Sequence, residues 1–204
     1  MPGEISNFLG SFLSRGPCVI GQVRIAPDYS MSHLEDAGKG GLEIFTNPHD
    51  ALEVAKYDDA GQYRPLKTAP NLRHGWALQL RNLADASLAL DFLYPAALGT
   101  ALAFVRNQLT AVNLRETLAR QSGMYAVVKK ITDKQAESVI TITCNHKDGC
   151  MRHILWPISP GRLSSLSRRG SEVEGFRNEI PLLCAEACNL LVAAGRKIVK
   201  TPPA

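Results

Sequence analysis

The chain of 204 residues lacks any apolar run of roughly 18 residues or more, so no single membrane-spanning segment is expected. Its most apolar stretch, Phe92 to Val105, is interrupted by Pro95 and Gly99 and reads as buried helix. A secretory leader is missing too: Glu4 and Arg15 fall early, and no basic start precedes an apolar block. A soluble, cytoplasmic protein is the expectation. Lysine-rich runs are absent and aromatics make up only 6%, so a nucleic-acid face is not expected. There is no glycine-rich phosphate loop, no Ser/His/Asp set and no two-histidine metal motif, hence no self-contained catalytic motif. Disorder over most of the length is excluded, because 45% of residues are apolar and the net charge is only +4.

The charge that is present is unevenly placed. From Cys144 to Lys200 there are nine basic residues against five acidic ones, an excess that equals the whole net charge of +4. Four of the five cysteines, Cys144, Cys150, Cys184 and Cys188, lie in the same quarter. Cys18 stands alone near the N-terminus and reads as a core residue of a strand. Clustered thiols in a chain without a leader argue for reduced cysteines and a metal site.

The pattern along the chain predicts an α+β fold. Residues 1–17 read as an extension, and residues 18–200 as one domain. Its parts are a small sheet-containing portion over 18–80, a helical portion over 81–143 and a cluster segment over 144–200. Strands are expected at Cys18–Ile25, Leu42–Thr46, Gln62–Leu66 and Trp76–Leu80. Asn47 followed by Pro48 starts a short helix, and Asn113 caps another that stops near Gly123. Leu83 to Gln108 is helical, broken at Pro95. Thr132 and Asp133 open a helix to about Ser138, after which the β-branched Val139–Thr143 predicts a strand. Pro181 is placed in the first turn of a final helix that Gly195 closes. Asp58 and Asp59 suit a turn, and His74 beside Arg73 is expected to be a loop entering a strand.

The cysteine spacing carries the chemistry. Cys144 and Cys150 are separated by five residues, Cys184 and Cys188 by three. The second pair would lie one turn apart on the expected helix, in first turns where unpaired N–H groups favour an anion. A [4Fe-4S] cube held by four thiolates is anionic and suits such a place, with basic residues near it. Trp156, Pro157, Leu182 and Leu183 would supply an apolar wall. Zinc is the first competitor, because the helical pair fits its usual spacing and His146 and His153 are further donors. Buried, unliganded thiols are the bland alternative.

The C-x5-C…C-x3-C spacing is similar to that of the cluster site in sirohaem sulfite and nitrite reductases. More of the text, YDDAGQYRPLKTAPNLRHGW (57–76), LDFLYPAALG (90–99), LRETLARQSGMY (114–125), CNHKDGCMRHILWP (144–157) and PLLCAEACNLLVAAGRK (181–197), resembles another family. That family is the [4Fe-4S] cluster-binding domain appended to bacterial sirohydrochlorin chelatase-like (CbiX-type) proteins. The resemblance spans about residues 18–200 and implies that Cys144, Cys150, Cys184 and Cys188 are the four ligands. The 17 residues before Cys18 are too few for a chelatase module, so chelatase activity is not expected from this chain alone.

A fully ligated cluster implies electron transfer, redox sensing or an accessory role linked to tetrapyrrole or metal-insertion chemistry. The expected partner is a protein redox partner or a separate chelatase. The alternative is a zinc-stabilised interaction module with a basic C-terminal face. A third reading sets the cluster beside a sirohaem-like ligand in an enzyme.

Overall fold

A computed structural model describes residues 2–54, 75–110, 113–144, 152–159, 162–166, 178–184 and 187–200. The expected strand at 62–66, Asp58, Asp59, Arg73 and His74 lie outside the described residues. The fold is α+β, as the sequence predicts, and contacts divide it into two compact units. The first comprises residues 1–107 with 175–181, the second residues 108–174 with 182–204.

The first unit begins with α1, Pro2–Leu13, where the sequence pattern shows only an extension. Leu9, Phe12 and Leu13 are buried at one-turn spacing, so this amphipathic stretch is held by packing against later helices. The strands follow as β1 (Cys18–Ile20), β2 (Val23–Ile25), β3 (Ser30–His33) and β4 (Glu43–Phe45). After a short helix α2 (Ala51–Val54), β5 (Trp76–Gln79) completes this run. In β1, β2 and β3 the burial alternates, placing Cys18, Ile20, Val23, Ile25 and Met31 inside. Two helices close the unit, α3 (Leu83–Leu93) and α4 (Ala97–Val105), with the chain bent by 104° between them at Pro95. No single helix among the described residues is long and apolar enough to cross a membrane.

The sheet order is β4-β5-β3-β2-β1-β8, where β8 is Glu179–Ile180 from the far end of the chain. It pairs parallel with β1, Ile180 opposite Ile20. The β1–β2 turn is tight. Gly21 takes φ +60°, and the Gln22 backbone N–H donates to the Tyr94 hydroxyl at 2.8 Å.

The second unit contains α5 (Leu114–Ala119), a 3₁₀ segment (Gly123–Lys130) and α6 (Asp133–Cys144). A small sheet of order β7-β6-β9 follows, built from Arg162–Leu166, His153–Ser159 and Leu183–Cys184. The last helix is α7, Asn189–Lys200. Leu114, Leu118, Val128, Ile131, Ala136, Val139, Ile140, Leu191 and Val192 form its core.

Two expectations are corrected here. Val139–Thr143 is helical and belongs to α6, not to a strand. Ala136, Val139, Ile140 and Cys144 recur at helical spacing on the buried side, and that period outweighs β-branched propensity. A reciprocal cap starts the helix: Gln135 N–H donates to Thr132 Oγ1 at 3.3 Å, and Thr132 N–H to Gln135 Oε1 at 3.0 Å. The final helix, in turn, does not begin at Pro181. Leu183–Cys184 is a strand parallel to β6, and α7 starts only at Asn189. Gly195 lies inside α7, facing Val128 and Ile131, rather than closing it.

Candidate metal centre

Cys144 is the last residue of α6 and is 6% exposed, its side chain part of the core of the second unit. Cys184 ends β9 opposite Ile154 of β6, half-buried and packed against the same core. Two thiols from distant points of the chain are thereby brought to one apolar surface. Cys188 is exposed, and its carbonyl accepts the Val192 N–H at 3.1 Å, which makes it the N-cap of α7. Cys150 and His146 lie outside the described residues, as does the Trp156 side chain.

The sequence expectation that Cys184 and Cys188 share a helix is therefore wrong. The backbone around Cys184 is committed to sheet: the His153 N–H donates to the Leu182 carbonyl at 2.6 Å, beside the β6–β9 pairing. Leu182 and Leu183, expected as part of an apolar wall, are buried at 4% and 1%. Only Cys188 keeps the expected place at a helix N-terminus, where the dipole favours a thiolate.

Two further side chains bear on the site. The Arg152 guanidinium donates to the Leu183 carbonyl at 3.1 Å, which sets a cation one residue from Cys184. Thr143 Oγ1, next to Cys144, is buried with no hydrogen-bond partner among the described residues. Sequence reasoning counted Arg152 only as charge and missed Thr143, because it read Val139–Thr143 as strand. Helical spacing from Ala136 and Val139 is the signal that finds it.

Among the described residues no three His, Cys, Asp or Glu side chains converge as a metal-binding group. The donor chemistry nonetheless fits an iron–sulfur cluster. Three soft sulfur donors stand in one unit, with a cation, a helix N-terminus and an orphan hydroxyl available to an anionic group. Cys18, by contrast, is 1% exposed in β1 of the first unit, and burial pushes its thiol up to about 11. That is the core residue the sequence predicts.

Comparison with known proteins follows the same division. Residues 106–197 match the 4Fe-4S iron-sulfur cluster binding domain family, and residues 10–103 match the DR2241 stabilising domain family. These ranges meet close to the boundary between the two compact units at Asn107 and Gln108. Among solved structures, the chain is similar to DR2241 from Deinococcus radiodurans, at TM-score 0.72 and 29% identity. That protein is described as multi-domain, with structural similarity to chelatases and two additional novel domains. The match covers 97% of this chain and 41% of that one, so this chain spans about two-fifths of its length. No curated protein matches the sequence. Residues 106–197 are thus similar to the 4Fe-4S iron-sulfur cluster binding domain family and residues 10–103 to the DR2241 stabilising domain family, and the chain resembles part of a chelatase-like protein.

Proposed function

We propose that Cys144, Cys150, Cys184 and Cys188 together hold a [4Fe-4S] cluster used to move or sense single electrons. The observation that carries this reading is the meeting of Cys144 and Cys184 on one core, inside the unit that matches the cluster-binding family. When bound, such a cluster supplies a reversible one-electron couple. Four protein thiolates leave iron no open position, so electron transfer or redox sensing is favoured over Lewis-acid catalysis.

The chain's own residues suit that work. Leu182 and Leu183 exclude water beside Cys184, and buried Cys144 offers a sheltered thiolate. Arg152 offsets negative charge next to the same strand. Cys188, exposed at the head of α7, is where a protein redox partner could approach. The similarity to part of a chelatase-like protein supports an accessory role beside metal-insertion chemistry on tetrapyrroles, with the chelatase supplied by another module or partner.

The test is anaerobic purification followed by iron, zinc and acid-labile sulfide analysis and a visible spectrum. The expected result is about four irons and four sulfides per chain, lost in Cys144→Ser and Cys184→Ser. One zinc, no sulfide and a colourless protein would overturn the reading and favour a zinc-stabilised interaction module instead.

A further inference from the structure

Three hydroxyls of α6 can be compared on one helix. Ser138 and Thr141 are exposed, and each donates to the carbonyl four residues back, Lys134 at 2.9 Å and Glu137 at 3.0 Å. That is the usual resting place of a helical hydroxyl. Thr143 departs from it. Its Oγ1 is buried, yet bonds neither to the Val139 carbonyl nor to any other group among the described residues. Thr143 is half-buried and falls at helical spacing from the buried Ala136, Val139 and Ile140, a position where an apolar side chain would carry no polar cost. A buried hydroxyl without a partner is destabilising, and a valine of the same shape would avoid that penalty. The next residue is Cys144, which lies on the same core as Cys184.

We propose that Thr143 is a positioning residue for the cluster, its hydroxyl donating a hydrogen bond to sulfur at the Cys144 corner and so raising the reduction potential. This rests on the reading of Cys144 as a ligand. A donated hydrogen bond draws density from sulfur and stabilises the more negative, reduced form, so its loss lowers the potential. The hydroxyl is satisfied in the loaded protein and orphaned without the cluster.

The test compares the full chain, purified anaerobically, as wild type, Thr143→Val, Thr143→Ser and Thr141→Val. Each is assayed for iron and sulfide and titrated for its midpoint potential. Thr143→Val is expected to keep its iron and shift to lower potential, while Thr143→Ser and Thr141→Val stay at the wild-type value. A fully loaded Thr143→Val at the wild-type potential overturns the proposal. If Thr143→Val loads no iron, loading decides: full iron in Thr143→Ser with none in Thr143→Ala supports a need for the hydroxyl. Equal iron in those two variants, or none in either, overturns it. A wild-type protein with zinc or no sulfide brings down the ligand reading itself, and that is seen before any variant is made.

Discussion

Cys144 and Cys184 pack on the same apolar core, although they stand forty positions apart and belong to different kinds of element, the end of a helix and the end of a strand. Neither could be moved without disturbing the core that both touch. Replacing Cys144 by Ser puts a hydroxyl where a thiol is 6% exposed, at a cost of about 1–3 kcal/mol in addition to any loss of metal. Cys188→Ser should cost almost nothing in stability, since that side chain is exposed. Thermal unfolding of the two apo variants should separate by several degrees, while both lose iron. Equal unfolding temperatures would show that Cys144 is not part of the core.

Cys18 supplies the control. It is as buried as Cys144 but lies in the unit that matches the stabilising domain, so Cys18→Ser should destabilise the protein and leave iron content per folded chain unchanged. Loss of iron in that variant, measured on the soluble folded fraction, would place the metal elsewhere than the four-cysteine segment.

Much of the first unit was legible because its signals are local. Asn47 and Pro48 spell a helix start, and Asn47 does accept the His49 N–H at 3.0 Å while Asp50 accepts the Asn47 N–H at 3.2 Å. Alternation of apolar and polar residues marks β5, and Pro95 marks the bend between α3 and α4, but the single strand expected over Cys18–Ile25 is two antiparallel strands, β1 and β2, because Gly21 turns the chain between them. The four cysteines stand out by their spacing, and the family resemblance is what implies them as ligands. What surrounds them was not, because tertiary packing set it against local preference. Val139–Thr143 has strand propensity but packs as helix, and Leu182–Cys184 sits after a proline that suits a helix start but pairs with β6. The run from residue 184 to 188 has helical spacing, yet sheet hydrogen bonds claim its first residue.

Gly195 shows the same conflict and can be tested directly. A Cβ at this position would stand 3.6 Å from Val128 and 3.7 Å from Ile131, ordinary contact distances, and the residue is helical. Gly195→Ala should therefore stabilise the protein by about 0.5–1 kcal/mol, through a less flexible unfolded chain and better helix propensity. Gly195→Leu should destabilise it by overpacking the same contacts. If Gly195 instead closed the helix as a C-cap in a left-handed conformation, alanine would be the destabilising change.

Gly21 makes the opposite case. A Cβ there would fall 2.4 Å from the Tyr94 ring, and φ is +60°. Gly21→Ala must both strain the turn and displace a tyrosine that is 5% exposed, so a loss of about 2–3 kcal/mol is expected. Tyr94→Phe keeps the ring in place and removes the acceptor for the Gln22 N–H, at about 1–2 kcal/mol. Chemical denaturation of both variants checks the order, and a larger loss for Tyr94→Phe would contradict it.

The buried Cys18 thiol also sets a pH dependence. Its ordinary value is 9.0 and burial raises it to about 11 in the folded protein. Above pH 9.0 the unfolded chain loses this proton while the folded chain keeps it, so the folded state binds more protons and stability falls as pH rises. The contribution is intact below the unfolded value and is lost as pH climbs through the window between 9.0 and about 11. Its size over that window is about 2–3 kcal/mol. Lysines and tyrosines titrate in the same range, so the readout is a difference. Unfolding free energy should drop more steeply with alkaline pH for the wild type than for Cys18→Val, and the two curves should run parallel below pH 8. Parallel curves across the whole range would mean that the Cys18 thiol ionises as readily in the folded protein as in the unfolded chain.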